Sequence, residues 1–128
     1  MALLWIGLGG ALGAISRYWV ASTVFRWMGK AFPYGTLSVN LIGSFVIGLA
    51  FVLLVQQQWG SEHHKQLAMV GFLGAFTTFS TFSLESVALL QQQRYSAFAA
   101  YIGVSVIGCL LATGTGMVLA NSLLKSHS

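Results

Sequence analysis

The stretch from Thr77 to Ser83 combines hydroxyl side chains with two phenylalanines inside a long uncharged segment. Five of its seven residues carry hydroxyls, and Phe79 and Phe82 stand between them. Residues three apart share one face of a helix, and the positive edge of a phenyl ring attracts an anion weakly. Conduction requires such weak binding, so the pattern indicates a pathway for a small ion. The alternative is an intact helix whose hydroxyls donate to carbonyls one turn earlier.

The same stretch predicts a break in the helix that carries it. Gly71 and Gly74 precede the hydroxyl cluster, and glycine and β-branched threonine both weaken a helix. Non-helical backbone at membrane depth persists only where it is buried in protein or lines a wet cavity. Because broken helices free main-chain carbonyl and N–H groups, they commonly coordinate ions near the middle of a membrane.

Polar side chains in two other apolar segments each allow two interpretations. Asn40 lies in an uncharged run, where a buried amide is costly unless it has a partner. It either joins two helices, which is worth about 1 kcal/mol, or donates its amide hydrogens to an anion. Tyr101 and Ser105 share one helix face that continues through Cys109 and Thr113. This face forms either a polar track or a packing surface.

The charged residues exclude the common catalytic arrangements. Arg17 is the one full charge well inside a predicted span, where insertion costs about 2.5–3.5 kcal/mol. It either reaches toward the membrane surface or sets a positive potential beside an aqueous vestibule. Glu85 is the sole acid in a span, and one carboxylate does not form a hydrolytic pair. His63 and His64 are adjacent in a predicted loop, which is the wrong spacing for two metal ligands on one helix face. We therefore do not expect an enzyme.

Composition identifies the class of protein that must position these residues. Of 128 residues, 56% are hydrophobic and 6% are charged, against about 25% charged in an ordinary soluble domain. This excludes a soluble enzyme, a nucleic-acid-binding protein and a disordered chain. Each crossing of a bilayer takes about 20 helical residues, so the length accommodates four crossings in an all-α integral membrane protein.

Uncharged runs predict four transmembrane helices in a single domain covering residues 1–128. The predicted helices lie near residues 3–28, 34–55, 67–91 and 97–123. Met1–Ser16 lacks the positive region of a secretory signal peptide, so we interpret it as part of a retained first helix. Gly9 and Gly13 are four apart, a spacing that lets membrane helices approach closely.

The charges in the connections do not favour either orientation in the membrane. With four spans, one side carries Lys65 and Lys125, and the other carries Arg26, Lys30 and Arg94. Two basic residues against three give too small a bias to decide insertion. Such a chain could insert both ways, and two copies could then pair antiparallel.

Four segments of the chain resemble the Fluc (CrcB) family of fluoride channels. They are Gly9–Tyr18, Gly35–Phe45, Gly71–Gly74 together with Thr77–Ser83, and the face formed by Tyr101 and Ser105. The resemblance implies a passive channel in the inner (plasma) membrane of a prokaryote. It further implies export of cytoplasmic fluoride, and hence fluoride resistance, by an antiparallel dual-topology homodimer with two pores and a central structural Na⁺.

The resemblance also implies roles for individual residues. The fluoride pathway would be formed by Asn40, Phe79, Phe82, Ser80, Thr81, Glu85, Tyr101 and Ser105. Arg17 would lie near a vestibule, and main-chain carbonyls of Gly74 and Thr77 from both subunits would hold the Na⁺.

Two other classes of membrane protein are alternatives. A small proton-coupled multidrug exporter is also short, four-spanning and of dual topology, but it needs a membrane-embedded carboxylate in the first helix. The first predicted helix contains Arg17 and no acid, which counts against an exporter. A purely structural bundle would not need Asn40 or the hydroxyl cluster.

Overall fold

The computed structural model describes residues 1–126 as an all-helical chain with four helices long and apolar enough to cross a membrane. The helical elements, with π denoting π-helix, are α1 (Ala2–Met28), α2 (Tyr34–Ala50), π1 (Phe51–Gln56), α3 (Glu62–Lys65), π2 (Gln66–Leu73), α4 (Gly74–Phe76), α5 (Phe79–Gln91) and α6 (Tyr95–Lys125). The four spans are α1, α2 with π1, the region from α3 to α5, and α6. This confirms the prediction of an all-α membrane protein with four spans.

The third span begins at Glu62 rather than near residue 67. The Ser61 N–H donates to Nδ1 of His64 at 2.9 Å, and the Ser61 side chain in turn caps the backbone of His64. This reciprocal capping starts the helix inside the polar connection. Hydrophobicity alone missed the first turn because the capping residues are polar.

Close contact between backbones holds the first and third spans together. α1 packs mainly against π2 and α2, while α6 packs against α2 and α5. A Cβ added to Gly9 would overlap the Leu67 carbonyl, and one added to Gly13 would overlap the Phe72 carbonyl. The two small residues thus bring the helices into close contact, as their spacing predicted.

The side chains buried within the chain are few, and many large apolar side chains point outward. Val39, Val52 and Tyr101 are fully buried, whereas Leu3 and Leu110 are largely exposed. An apolar exterior of this extent suits a chain surrounded by lipid or by another protein.

Candidate functional site

The third span is not a regular helix between Phe76 and Phe79. α4 ends at Phe76 and α5 begins at Phe79, and the two residues between them have extended backbones. Thr77 has φ −84° and ψ 158°, and Thr78 has φ −149° and ψ 120°. We call these two residues the Thr77–Thr78 segment. The Thr77 N–H still donates to the Leu73 carbonyl at 3.2 Å, but the Thr78 N–H needs a partner outside the helical hydrogen-bond ladder.

Asn40 on α2 binds both main-chain groups of Thr78. The Thr78 N–H donates to Oδ1 of Asn40 at 2.8 Å, and Nδ2 of Asn40 donates to the Thr78 carbonyl at 3.0 Å. This is the joining role that the sequence left open for a buried amide. Because a carboxamide has two N–H donors, its second hydrogen can still bind another acceptor.

The start of α5 is capped by Thr78 itself. The Thr81 N–H donates to Oγ1 of Thr78 at 3.2 Å, and Oγ of Ser80 lies 3.3 Å from the same hydroxyl. Threonine is a favoured N-cap residue because its oxygen can accept from the first free N–H groups. Sequence reasoning did not assign Thr78 a role, although its position in front of α5 was a signal for a cap.

Because of these bonds, two carbonyls lack the hydrogen bond that each would accept in a continuous helix. The N–H of Thr78 would otherwise donate to the Gly74 carbonyl, and that of Thr81 to the Thr77 carbonyl. Both N–H groups bind side chains instead. The Gly74 and Thr77 carbonyls are thus freed from the ladder, and oxygen atoms of this kind suit a hard cation.

Arg17 reaches the same region from α1. Its Nε donates to the Ala75 carbonyl at 3.1 Å, and its side chain is half-buried. A main-chain carbonyl satisfies only one of the five guanidinium donors. Arg17 therefore has further N–H donors beside the Thr77–Thr78 segment.

A glycine on α2 allows the Thr77–Thr78 segment to approach that helix. A Cβ added to Gly43 would overlap the Cγ2 methyl group of Thr77 and crowd the ring of Phe76. Only a residue without a side chain fits here. Gly43 lies in the Gly35–Phe45 segment, but nothing in the sequence alone indicates this role.

Aromatic rings continue from α5 to α6. The ring centroids of Phe79 and Phe82 lie 5.4 Å apart, and those of Phe82 and Tyr101 lie 5.1 Å apart. The Tyr101 hydroxyl donates to Oε1 of Glu85 at 2.9 Å. Phe79 is 76% exposed in the single chain, whereas Phe82 is buried. The row therefore runs from the surface of the chain to its core.

Two cavities meet at Thr78, and each is named after one of its lining residues. The Phe79 cavity has a volume of about 420 Å³ and is lined by residues including Asn40, Gly74, Thr77, Thr78, Phe79, Phe82, Ser105 and Cys109. The Arg17 cavity has a volume of about 760 Å³ and is lined by residues including Arg17, Thr36, Thr78, Thr81 and Glu85. Because Thr78 lines both, the Thr77–Thr78 segment lies between two spaces large enough for water.

The predicted site residues are thus divided between the two cavities. Asn40, Phe79, Phe82 and Ser105 line the Phe79 cavity, and Thr81, Glu85 and Arg17 line the Arg17 cavity. Tyr101 is fully buried behind Glu85, and Ser80 is exposed beside Thr78. These two residues line neither cavity.

Ser105 is the clearest unsatisfied polar group at this site. Its Oγ atom is buried and has no hydrogen-bond partner within residues 1–126. Tyr101 and Thr113, on the same face of α6, donate to Glu85 and to the Ser44 carbonyl. An unpaired hydroxyl in an apolar environment is costly, and Ser105 is left with an unused donor next to the Phe79 cavity.

A cluster of side chains able to hold a metal does not occur among the described residues. No group of three or more His, Cys, Asp or Glu side chains lies close enough together to bind an ion.

Comparison with known proteins assigns the family. Residues 4–117 match the family described as CrcB-like protein, Camphor Resistance (CrcB). The chain is 50% identical to the fluoride-specific ion channel FluC of Magnetococcus marinus over 93% of this chain and 97% of that protein. It is also 50% identical to the FluC of Hahella chejuensis over 95% of this chain and 96% of that protein.

A third relative extends the same comparison. The FluC of Hydrogenovibrio crunogenus is 44% identical over 91% of this chain and 89% of that protein. The family match over residues 4–117 includes the residues that line both cavities. The chain is therefore a multi-pass membrane protein, not an enzyme, and belongs to the CrcB (FluC) family of fluoride ion channels.

Proposed function

We propose that this protein is a passive channel through which cytoplasmic fluoride leaves the cell down its electrochemical gradient. The observation that carries the proposal is the extended Thr77–Thr78 segment, held by Asn40 between two cavities. Hydrogen fluoride crosses membranes as a neutral molecule and ionises in the cytoplasm. A path for the anion would let fluoride escape and would make the cell resistant to it.

The residues around the segment supply what a small hydrated anion needs. Fluoride can enter a narrow route only if donors replace its water molecules. The Asn40 amide has a second N–H, Ser105 has an unpaired hydroxyl, and the edges of the Phe79 and Phe82 rings are electropositive. Arg17 adds positive charge on the Arg17 cavity side. The ring edges attract an anion only weakly, so they would release the ion again.

We further propose that two copies pair antiparallel. The Phe79 cavity lies at the surface of the single chain, and Phe79 is largely exposed there beside Asn40 and Thr77. Polar groups facing lipid at this depth are costly, so a second copy covering this face would remove that cost. The balanced charge of the connections permits both orientations. A dimer in detergent would have twice the 13.7 kDa mass of the chain, apart from bound detergent.

We also propose that the freed Gly74 and Thr77 carbonyls hold a structural Na⁺ at the centre of the dimer. Both are released from the helical ladder by the bonds to Asn40 and Thr78. A monovalent cation bound there would link the two copies through main-chain oxygens. Two carbonyls from each chain would give four oxygen ligands.

The channel would lie in the inner (plasma) membrane of a prokaryote. The alternative of a proton-coupled multidrug exporter is not favoured. Such an exporter exchanges protons through a carboxylate in the first span, and α1 contains Arg17 but no acid.

Ion flux from liposomes tests the proposal. Purified protein is reconstituted in liposomes loaded with potassium fluoride, and a fluoride electrode follows efflux after valinomycin is added. We expect rapid fluoride efflux, no comparable efflux from chloride-loaded liposomes, and no requirement for a proton gradient. Absence of fluoride efflux, or efflux that depends on a proton gradient, would contradict a passive channel.

A further inference from the structure

The mouth of the Arg17 cavity carries an excess of positive charge. Four of the six Lys and Arg residues of the chain line this cavity, namely Arg17, Arg26, Lys30 and Arg94, together with one carboxylate, Glu85. Arg17 lies deep and donates to the Ala75 carbonyl. The other three form what we call the cationic rim.

The topology places the cationic rim at one end of the bundle. Arg26 is in the last turn of α1, Lys30 follows in the connection to α2, and Arg94 is in the turn between α5 and α6. Both connections follow an odd-numbered span, so they lie on the same side of the membrane. α1 packs against π2, α2 and α4, whereas α5 packs mainly against α6. The cavity therefore opens between α1 and α5, two helices that do not pack closely together.

The charges of the cationic rim are not neutralised by the described part of the chain. The Glu85 carboxylate accepts from Tyr101, and Arg26 donates only to the Thr23 hydroxyl at 3.4 Å. The ion pair found within residues 1–126 joins Lys65 to Glu62 at the opposite end. Lys30 and Arg94 are therefore available to bind an anion from outside the chain.

Apolar side chains border the same cavity. Trp19 and Phe25 line it and are 65% and 49% exposed, respectively. Tryptophan favours the boundary between hydrocarbon and headgroups, and the Phe25 ring adds apolar surface next to Arg26. Basic pockets between membrane helices at this level bind anionic lipid headgroups. The cavity thus offers charge to a phosphate and an apolar wall to an acyl chain.

We propose that the cationic rim binds the phosphate of an anionic phospholipid, whose acyl chain lies against Trp19 and Phe25. Charge complementarity selects the headgroup, since three cations face one carboxylate that is already hydrogen-bonded. The volume of about 760 Å³ accommodates such a group. The inference concerns the outer part of the cavity and does not depend on fluoride transport.

Lipid binding to the purified protein tests this inference. Native mass spectrometry in detergent would measure the binding of phosphatidylglycerol and of phosphatidylcholine to the wild type, to Lys30→Gln/Arg94→Gln and to Lys65→Gln. Each basic side chain near an anionic headgroup contributes about fivefold to binding. We expect the double substitution to weaken phosphatidylglycerol binding about thirtyfold. Lys65→Gln removes one cation at the opposite end and should leave binding unchanged.

Further measurements distinguish binding of the lipid from binding of a free anion. Lys30→Arg/Arg94→Lys keeps both charges and should retain phosphatidylglycerol binding, which distinguishes loss of charge from loss of fold. Displacement of the lipid by millimolar inorganic phosphate would show that the phosphate group alone is recognised and would overturn the role of the apolar wall. Equal binding of the two lipids, or an unchanged affinity in Lys30→Gln/Arg94→Gln, would overturn the proposal as a whole.

Discussion

Replacement of Asn40 by aspartate is the sharpest test of the proposed pathway. The substitution keeps the shape of the side chain and the oxygen that accepts from the Thr78 N–H at 2.8 Å. It replaces the Nδ2 donor, 3.0 Å from the Thr78 carbonyl, with a second oxygen. The Thr77–Thr78 segment therefore loses one of its two bonds to α2, and the Phe79 cavity gains a negative charge.

The expected size of the effect follows from electrostatics. Two unit charges about 4 Å apart repel by about 4 kcal/mol at the effective dielectric constant of about 20 that suits protein sites. A barrier raised by this amount slows passage about a thousandfold. Loss of the neutral hydrogen bond adds only about 1 kcal/mol, so the charge dominates the effect on fluoride flux.

The assay is fluoride efflux from liposomes, with two matched variants. Gln57→Glu makes the same change from amide to acid at an exposed position outside both cavities, and its flux should equal that of the wild type. Asn40→Ala removes both bonds to Thr78 without adding charge, so its flux should lie between those of Asn40→Asp and the wild type. Wild-type flux in an Asn40→Asp protein that elutes normally in size-exclusion chromatography would refute the placement of Asn40 on the ion path.

Three further substitutions test other parts of the site. Phe79→Ile removes an electropositive ring edge from an exposed position; we expect a folded protein without fluoride flux, and normal efflux would argue against ring-edge coordination. Gly43→Ala places a methyl group against Thr77; overpacking should cost about 1–3 kcal/mol, measured as a lower Tm, and an unchanged Tm would contradict the close contact. Tyr101→Phe removes the donor to Glu85; loss of a hydrogen bond to a charged group should cost about 1.5–3 kcal/mol of unfolding free energy, and no change in denaturant-induced unfolding would show that this bond adds no stability.

For several residues, the residue type predicts two possible roles, and only the structure shows which contacts the side chain makes. The sequence identified Asn40 as either a link between helices or an anion donor, because an amide can do both. The two hydrogen bonds between Asn40 and Thr78 form only because α2 packs beside the extended Thr78. Likewise, no pattern in the chain shows that Arg17 reaches Ala75, since these residues are far apart in sequence and meet only when α1 packs against the third span.

The starts of the third span and of α5 are marked in the sequence by polar residues, which a hydrophobicity pattern does not detect. The first turn of the third span depends on reciprocal capping between Ser61 and His64, and the start of α5 depends on the hydroxyl of Thr78. Both are side-chain bonds within three residues of a helix end. The cap residues Ser61 and Thr78 mark these helix ends in the sequence, whereas the apolar runs do not.

Composition is enough to predict a four-span membrane protein, because few charges and long apolar runs leave no soluble alternative. It also indicated the hydroxyl and phenylalanine stretch as the place where an ion could pass. How that stretch is held depends on the packing of the helices. Bonds from Asn40 and Arg17, and the space left by Gly43, act between segments distant in the chain. Local composition cannot encode such contacts, since they exist only after the helices pack.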